Sequence, residues 1–288
     1  MFSAWPDSLW AIERREHVSS PAEDGSRADV VIVGAGYTGL WSAILLKELR
    51  SDLDVVVVDA VAPGYGASGR NGGWCSGLLP VDAAQLTTLH GADAALAMQR
   101  AAIAAVGDVG RYLDDHRISC DWAMSGTLTV ATNRAQRDRA VASIAESRTF
   151  GLTDNDLRWL DPAELDPRVR VNGALGATYS PHCAALHPMK LVNGLVARAN
   201  ALGVRFALGL RVGSIDDNGI AGDFGNERIR IRAPWVVRAT EAYTPALAGN
   251  RHAIAPLYSY MVATEPLSDR KSTRLNSSHE WISRMPSS

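Results

Sequence analysis

The chain has 288 residues, 47% of them hydrophobic and 21% charged, ample for a buried core and too apolar for a disordered tail protein. Its 29 basic residues stand against 31 acidic ones, so a net charge of −2 supplies no general field to hold nucleic acid or an anionic membrane. Cys75, Cys120 and Cys183 are odd in number and form no C-x-x-C pair, which points to a reducing, cytoplasmic setting and away from a zinc or disulfide framework.

Residues 1–27 are polar and punctuated by Pro6, Pro21 and Gly25; they read as an N-terminal strap anchored by Trp5 and Trp10, with the ordered domain expected to begin at Ala28. Acidic Glu23, Asp24 and Asp29 precede the uncharged run Val30 to Leu46, which is short for a membrane span and contains Gly34, Gly36 and Gly39. No targeting or transmembrane segment is expected. Asp29 to Val33 is a β-branched run suited to a parallel strand buried on both faces. Gly34-Ala35-Gly36-Tyr37-Thr38-Gly39 follows, then Leu40 to Leu49, free of Gly and Pro, predicts a helix, and Asp54 to Asp59, DVVVVD, a second buried strand.

Strand, G-x-G-x-x-G, helix, strand and terminal acid together make a dinucleotide-binding unit. Gly34 permits the tight turn, Gly36 lets backbone approach a pyrophosphate, and Gly39 lets the helix pack closely on the strand. The helix N-terminus then faces phosphate, and Asp59 can accept hydrogen bonds from ribose hydroxyls. The alternative is a glycine-rich turn of purely structural use. A second glycine-rich loop, Ala62 to Trp74, leaves backbone N–H groups bare for close contact with phosphate or a flat ring system.

Residues 81–119 are Ala-rich and read as packing helices broken by Gly91, Gly107 and Gly110. His182, Cys183 and His187 lack a fourth ligand, so no metal is expected. No G-x-S-x-G elbow or H-E-x-x-H motif is present, which removes the best signals for serine hydrolases and zinc proteases. Pro188 suits the first turn of a helix, Leu191, Leu195, Ala199 and Leu202 share a face, and Gly203 can end it; Val204-Arg205-Phe206 predicts the next strand.

VVIVGAGYTGLWSA, from Val30, and GYGASGRNGGW, from Gly64, resemble the D-amino-acid oxidase-like family of FAD-dependent amine oxidoreductases, above all its γ-glutamylputrescine oxidoreductase branch. The segment from His187 to Leu195 is similar to the family's HP-x-K-L-V helix start, and Trp235 to Pro245 to its second flavin-binding strand and turn, except that Glu241 stands where the family carries a small or amide residue. Pro256 to Leu267 is similar to the strand leading into the substrate sheet. The resemblance implies an α/β fold, with a Rossmann-like FAD-binding layer (28–80 and 180–250) interleaved with an antiparallel-sheet substrate domain (120–179 and 251–268). It implies FAD contacts at Ser68, Gly69, Arg70, Asn71 and Gly72, adenine beside the backbone at Val212, and further cofactor contacts at Ala239 and Thr240. Arg70 would be a charge partner, with a surface arginine as the alternative, and Asn71 an amide donor. Tyr258 and Tyr260, alternating on one strand face, are candidates to line the substrate cavity or to pack as aromatic core. The reaction implied is oxidation of a small-molecule primary or secondary amine by hydride transfer to FAD, with imine hydrolysis and oxygen as acceptor; no catalytic side chain is assigned. A non-catalytic FAD- or NAD-binding module is the other reading.

From Asp269 the composition changes abruptly, and DRKSTRLNSSH, Asp269 to His279, resembles a codon-for-codon translation of a sequencing adapter, as SRMPSS, Ser283 to Ser288, does its next constant stretch. Residues 269–288 are therefore expected to be a non-native tail and the fold to be truncated at Ser268. One missing buried strand removes about three core side chains, ~5–9 kcal/mol, comparable with a whole domain's stability, so this polypeptide is expected to be insoluble or flavin-free.

Overall fold

The computed structural model describes residues 8–20, 22–79, 81 and 83–259. The expected 269–288 tail, Trp5, Tyr260 and most of the strand expected from Pro256 lie outside them. The strands are β1 (Ser26–Arg27), β2 (Val30–Val33), β3 (Val55–Asp59), β4 (Trp74–Ser76), β5 (Thr127–Ala131), β6 (Arg158–Leu160), β7 (Gly176–Ser180), β8 (Cys183–Ala185), β9 (Arg205–Leu208), β10 (Leu210–Asp216), β11 (Gly219–Phe224), β12 (Glu227–Arg232) and β13 (Trp235–Arg238). The α-helices are α1 (Tyr37–Leu49), α2 (Ala83–His90), α3 (Ala92–Asp115), α4 (Arg134–Thr149), α5 (Pro162–Leu165) and α6 (Pro188–Ala201). They fall into two compact units, one holding the chain up to Gly72 with His116–Cys120 and the chain from His187, the other Gly73–Asp115 and Asp121–Leu186.

The first unit is built on a parallel sheet of order β13-β2-β3-β9. Val30 pairs with Trp235 on one side and Val55 on the other, and Val56 with Arg205. Every residue of β2 is buried, because both faces of the sheet are covered. On one face Val31, Val33, Val56, Val58 and Ala207 form a core with Leu210, Ile220, Ile229 and Ile231 of the antiparallel meander β10-β11-β12. Elsewhere α1 packs on β2, β3 and α6. The helix α6 runs as expected from Pro188, with Leu191, Leu195 and Ala199 buried and Leu202 as the C-cap before Gly203 at φ 80°. Order begins well before Ala28: Leu9–Glu13 form a 3₁₀ turn whose Trp10 is 3% exposed, donates its indole N–H to Asn71 O at 2.8 Å and meets the His187 ring edge-on at 4.7 Å.

In the second unit, β5, β7 and β6 form an antiparallel sheet, with Thr127 opposite Ser180 and Arg158 opposite Tyr179, over a small core of Leu160, Leu165 and Ala177. Residues 73–79 and 180–186, expected in the FAD layer, fold here because β4 pairs with β8, Trp74 opposite Ala185. The helices α2 and α3 part at Gly91, whereas Gly107 and Gly110, expected to break the helix, lie inside α3, Gly110 against the Trp122 ring. Asp156, 6% exposed, accepts from Arg100 Nη1 and Thr153 N, each at 2.8 Å, and stands 3.0 Å from His182 Nε2. Burial alone would raise its pKa, but those three partners outweigh it and hold the carboxyl at about 2. Among the described residues no helix is long and apolar enough to cross a membrane.

Candidate functional site

The first unit gathers most of the expected cofactor residues at the C-terminal end of its parallel strands, where open α/β sheets place ligands. The G-x-G-x-x-G turn leaves β2 at Gly34, whose φ of 112° only glycine adopts readily. A Cβ there would lie 2.3 Å from Ala239 O, so the turn closes directly on the end of β13. The helix α1 begins at Tyr37, three residues before the expected Leu40, which puts Gly39 in its first turn; a Cβ on Gly39 would stand 1.9 Å from Gly34 O. Its absence lets helix and strand approach at backbone distance. The first-turn N–H groups of Thr38 and Gly39 have no intrahelical acceptor, as at any helix start, and they carry the positive end of a 13-residue helix.

Asp59 closes the turn from the neighbouring strand. Its Oδ2 accepts from Ala35 N and its Oδ1 from Val61 N, both at 2.9 Å. Burial raises its pKa, and the backbone N–H groups pull it back. Ala62 N also acts on the carboxylate, which with about four lone-pair sites keeps acceptor capacity for a donor such as a ribose hydroxyl.

Ser68 braces the start of α1. Its Oγ accepts from Tyr37 N at 2.9 Å, and a Cβ on Gly36 would stand 2.8 Å from it, so the serine caps α1 across the space that Gly36 leaves. Asn71 likewise braces its own loop, donating Nδ2 to Ser68 O at 2.9 Å and Ala67 O at 3.3 Å, with Tyr37 Oη at 3.4 Å. Gly69 is buried, its hydrogen filling a gap where a Cβ would meet Gly64 O at 2.1 Å and Met189 Cε at 2.5 Å. Gly72 is exposed. Arg70 donates Nε to Gly66 O at 3.2 Å and lies 5.8 Å above the Tyr65 ring, which keeps a positive charge on the loop.

Ala239 N donates to Val33 O at 2.9 Å, and the Thr240 and Thr244 hydroxyls meet at 2.8 Å. Glu241, the departure from the family pattern, has φ 41°, a left-handed conformation that small and amide residues tolerate better. Val212 sits at a β-bulge in β10, partly buried against the meander core. Tyr258 is 78% exposed in an irregular segment, and no described strand pairs with it, so it does not show the expected strand face.

Ala35, Tyr37, Trp10 and Met189 all shape this site and were not read as site residues. Trp10 was signalled as an anchor; the others act through backbone N–H groups or packing, which leave no residue-type signature. His182 engages Asp156, His187 Nδ1 accepts from Lys190 N at 3.3 Å as the cap of α6, and burial pushes the Cys183 thiol up to about 11, leaving it protonated.

The family model described as FAD dependent oxidoreductase matches residues 29–286. The probable oxidoreductase OrdL of Haemophilus influenzae is 28% identical over 255 residues, 86% of this chain and 58% of that protein. Gamma-glutamylputrescine oxidoreductase of Escherichia coli is 31% identical over 170 residues, 58% of this chain and 38% of that protein. Glycine oxidase from Geobacillus kaustophilus superposes with a TM-score of 0.63 at 21% identity, covering 78% of this chain and 58% of that one. For L-amino acid deaminase from Proteus vulgaris the values are 0.60, 21%, 77% and 49%; both likenesses concern the fold. The chain spans little more than half the length of the OrdL protein it matches.

Proposed function

The chain belongs to the FAD dependent oxidoreductase family, and on that premise we propose that its first unit holds FAD through Gly34, Gly36 and Gly39, Asp59, the Ser68–Gly72 loop, Val212 and Ala239–Thr240. The observation that carries this reading is Asp59, fastened by Ala35 N and Val61 N at the end of β3 with acceptor capacity to spare. Glycines at 34 and 39, where a Cβ would collide with Ala239 O and Gly34 O, keep the turn, α1 and β13 at backbone distance, the tight turn and close helix–strand packing of a dinucleotide-binding unit.

In this reading the intact protein oxidises a primary or secondary amine of the amino-acid or γ-glutamyl-polyamine type, with oxygen as acceptor, in the cytoplasm. FAD supplies the hydride acceptor. The chain's own residues bind and orient: Asp59 takes ribose hydroxyls, the N-terminus of α1 faces phosphate, and Arg70 offers charge. Ser68 and Asn71 fix the loop on α1 through Tyr37 N and the loop carbonyls. The name of the gamma-glutamylputrescine oxidoreductase relative supports the amine class.

The test is FAD titration of the soluble gene product, wild type and Asp59→Ala, alongside amine-dependent peroxide release. A yellow protein that Asp59→Ala bleaches, with peroxide formed from an amine, is expected. A protein that binds no flavin, or whose FAD affinity Asp59→Ala leaves unchanged, overturns the cofactor site; flavin without amine oxidation leaves a non-catalytic module.

A further inference from the structure

The first unit carries a groove of about 570 Å³ among the N-terminal arm, the His116–Ser119 turn and one face of α6, and no residue assigned to FAD lines it. That volume is typical of small-molecule sites, roughly 300–1,000 Å³. The lining is cationic: Arg15, Arg117, Lys190 and Arg198 stand against one carboxylate, Glu13. In a chain of net charge −2, composition alone does not produce such a concentration. Arg198 is engaged by Glu48 at 2.7 Å, whereas Arg15 and Arg117 make no ion pair among the described residues.

The groove is rigidly built. Arg117 is held in the left-handed region at φ 54°, and its neighbour Ile118 is driven so close to α6 that a Cβ on Gly194 would lie 2.3 Å from its methyl group. Conformations of this kind persist where surrounding structure over-determines them. Asn193, 7% exposed, also lines the groove. Its Nδ2 donates to Glu13 O at 2.7 Å, while its buried Oδ1 accepts no hydrogen bond of ordinary geometry. Burial and Arg15 lower the pKa of the neighbouring His17 imidazole, against a side-chain interaction with Asn193 that raises it. A buried acceptor without a donor is costly unless something supplies one. Phe, Tyr and Trp are absent from the lining.

We propose that this groove binds a small hydroxylated polyanion, carboxylate or phosphate, whose acidic groups meet Arg15 and Arg117 and whose hydroxyl donates to Asn193 Oδ1. The site is independent of the FAD reading.

Calorimetry of the purified gene product at low salt tests it with citrate, tricarballylate and glycerol 3-phosphate as probes. Binding of citrate or glycerol 3-phosphate is expected, and which of the two is tighter assigns the acid. The double variant Arg15→Gln, Arg117→Gly, which keeps a residue suited to the left-handed backbone, should weaken it by about tenfold or more, with thermal midpoint and FAD content unchanged. Tricarballylate, lacking the hydroxyl, should bind more weakly than citrate. Failure of both citrate and glycerol 3-phosphate to bind, or undiminished binding by the double variant, overturns the site; equal binding of tricarballylate overturns the Asn193 contact.

Discussion

Two helical glycines, Gly39 in α1 and Gly107 in α3, should respond to alanine with opposite signs. Helix propensity alone favours alanine over glycine by up to about 1 kcal/mol at either position. At Gly107 a new Cβ meets only the mobile guanidinium end of Arg111 at 3.4 Å, so Gly107→Ala should stabilise by that amount. At Gly39 the new Cβ falls 1.9 Å from Gly34 O, and real contacts do not go below 3.0 Å, so α1 and the β2 turn must separate by about 1 Å. The oxygen is backbone and cannot rotate away. Overpacking of this kind costs about 1–3 kcal/mol, which exceeds the propensity gain. With m of about 1–3 kcal/mol/M in urea, a net change of about 1 kcal/mol in each case moves the unfolding midpoint by roughly half a molar, down for Gly39→Ala, with FAD affinity falling too, and up for Gly107→Ala. A Gly39→Ala midpoint equal to or above wild type would refute the argument that the motif's last glycine is there for close approach.

The Asp156 carboxyl, held at about 2 against an ordinary 3.8, contributes stability that is fully present above about pH 4 and is lost as pH falls through 3.8 toward 2, about 2 kcal/mol in all. Acid titration of unfolding should show this loss in the wild type and not in Asp156→Asn; parallel curves would contradict it. Glu241→Gly, by releasing the left-handed strain at φ 41°, should raise the thermal stability by about 1 kcal/mol, and a lowered melting temperature would show that the Glu241 carboxylate bond to Ala242 N matters more. Trp10→Ala should destabilise by about 3–5 kcal/mol in denaturant unfolding, since the ring is 3% exposed; a negligible effect would mean that the N-terminal arm is not part of the core.

The parallel strands were legible because VVIV and the VVVV before Asp59 are apolar throughout, the mark of strands covered on both faces, and the turn between them because its glycines sit at fixed offsets. The helix α6 was legible from Pro188, its apolar face and Gly203. The meander was less so, although Ile229 and Ile231 alternate with arginines along β12 in the period of a half-buried strand. Ser68 shows the limit most plainly. Its cap on Tyr37 joins positions 31 apart, and no local pattern announces that a serine will cap a distant helix. The early start of order at Leu9 was hidden for the same reason: Trp10 finds His187 and Asn71 only once α6 and the second glycine loop are in place.

The sheet order β13-β2-β3-β9 has a consequence for synthesis. Its two central strands leave the ribosome together, but the strands that flank them begin only at Arg205 and Trp235. At about 5–20 residues per second, some 10–35 s separate the emergence of Asp59 from that of Trp235. Until Arg205 emerges the two central strands have neither lateral neighbour nor the meander that buries their far face, and β2 lacks its second neighbour until Trp235. Long-range parallel pairing is slow in any case and exposed to aggregation while it waits. The yield of soluble protein should therefore depend on translation rate and on chaperones that shield nascent strands, more than on the final stability of the folded sheet.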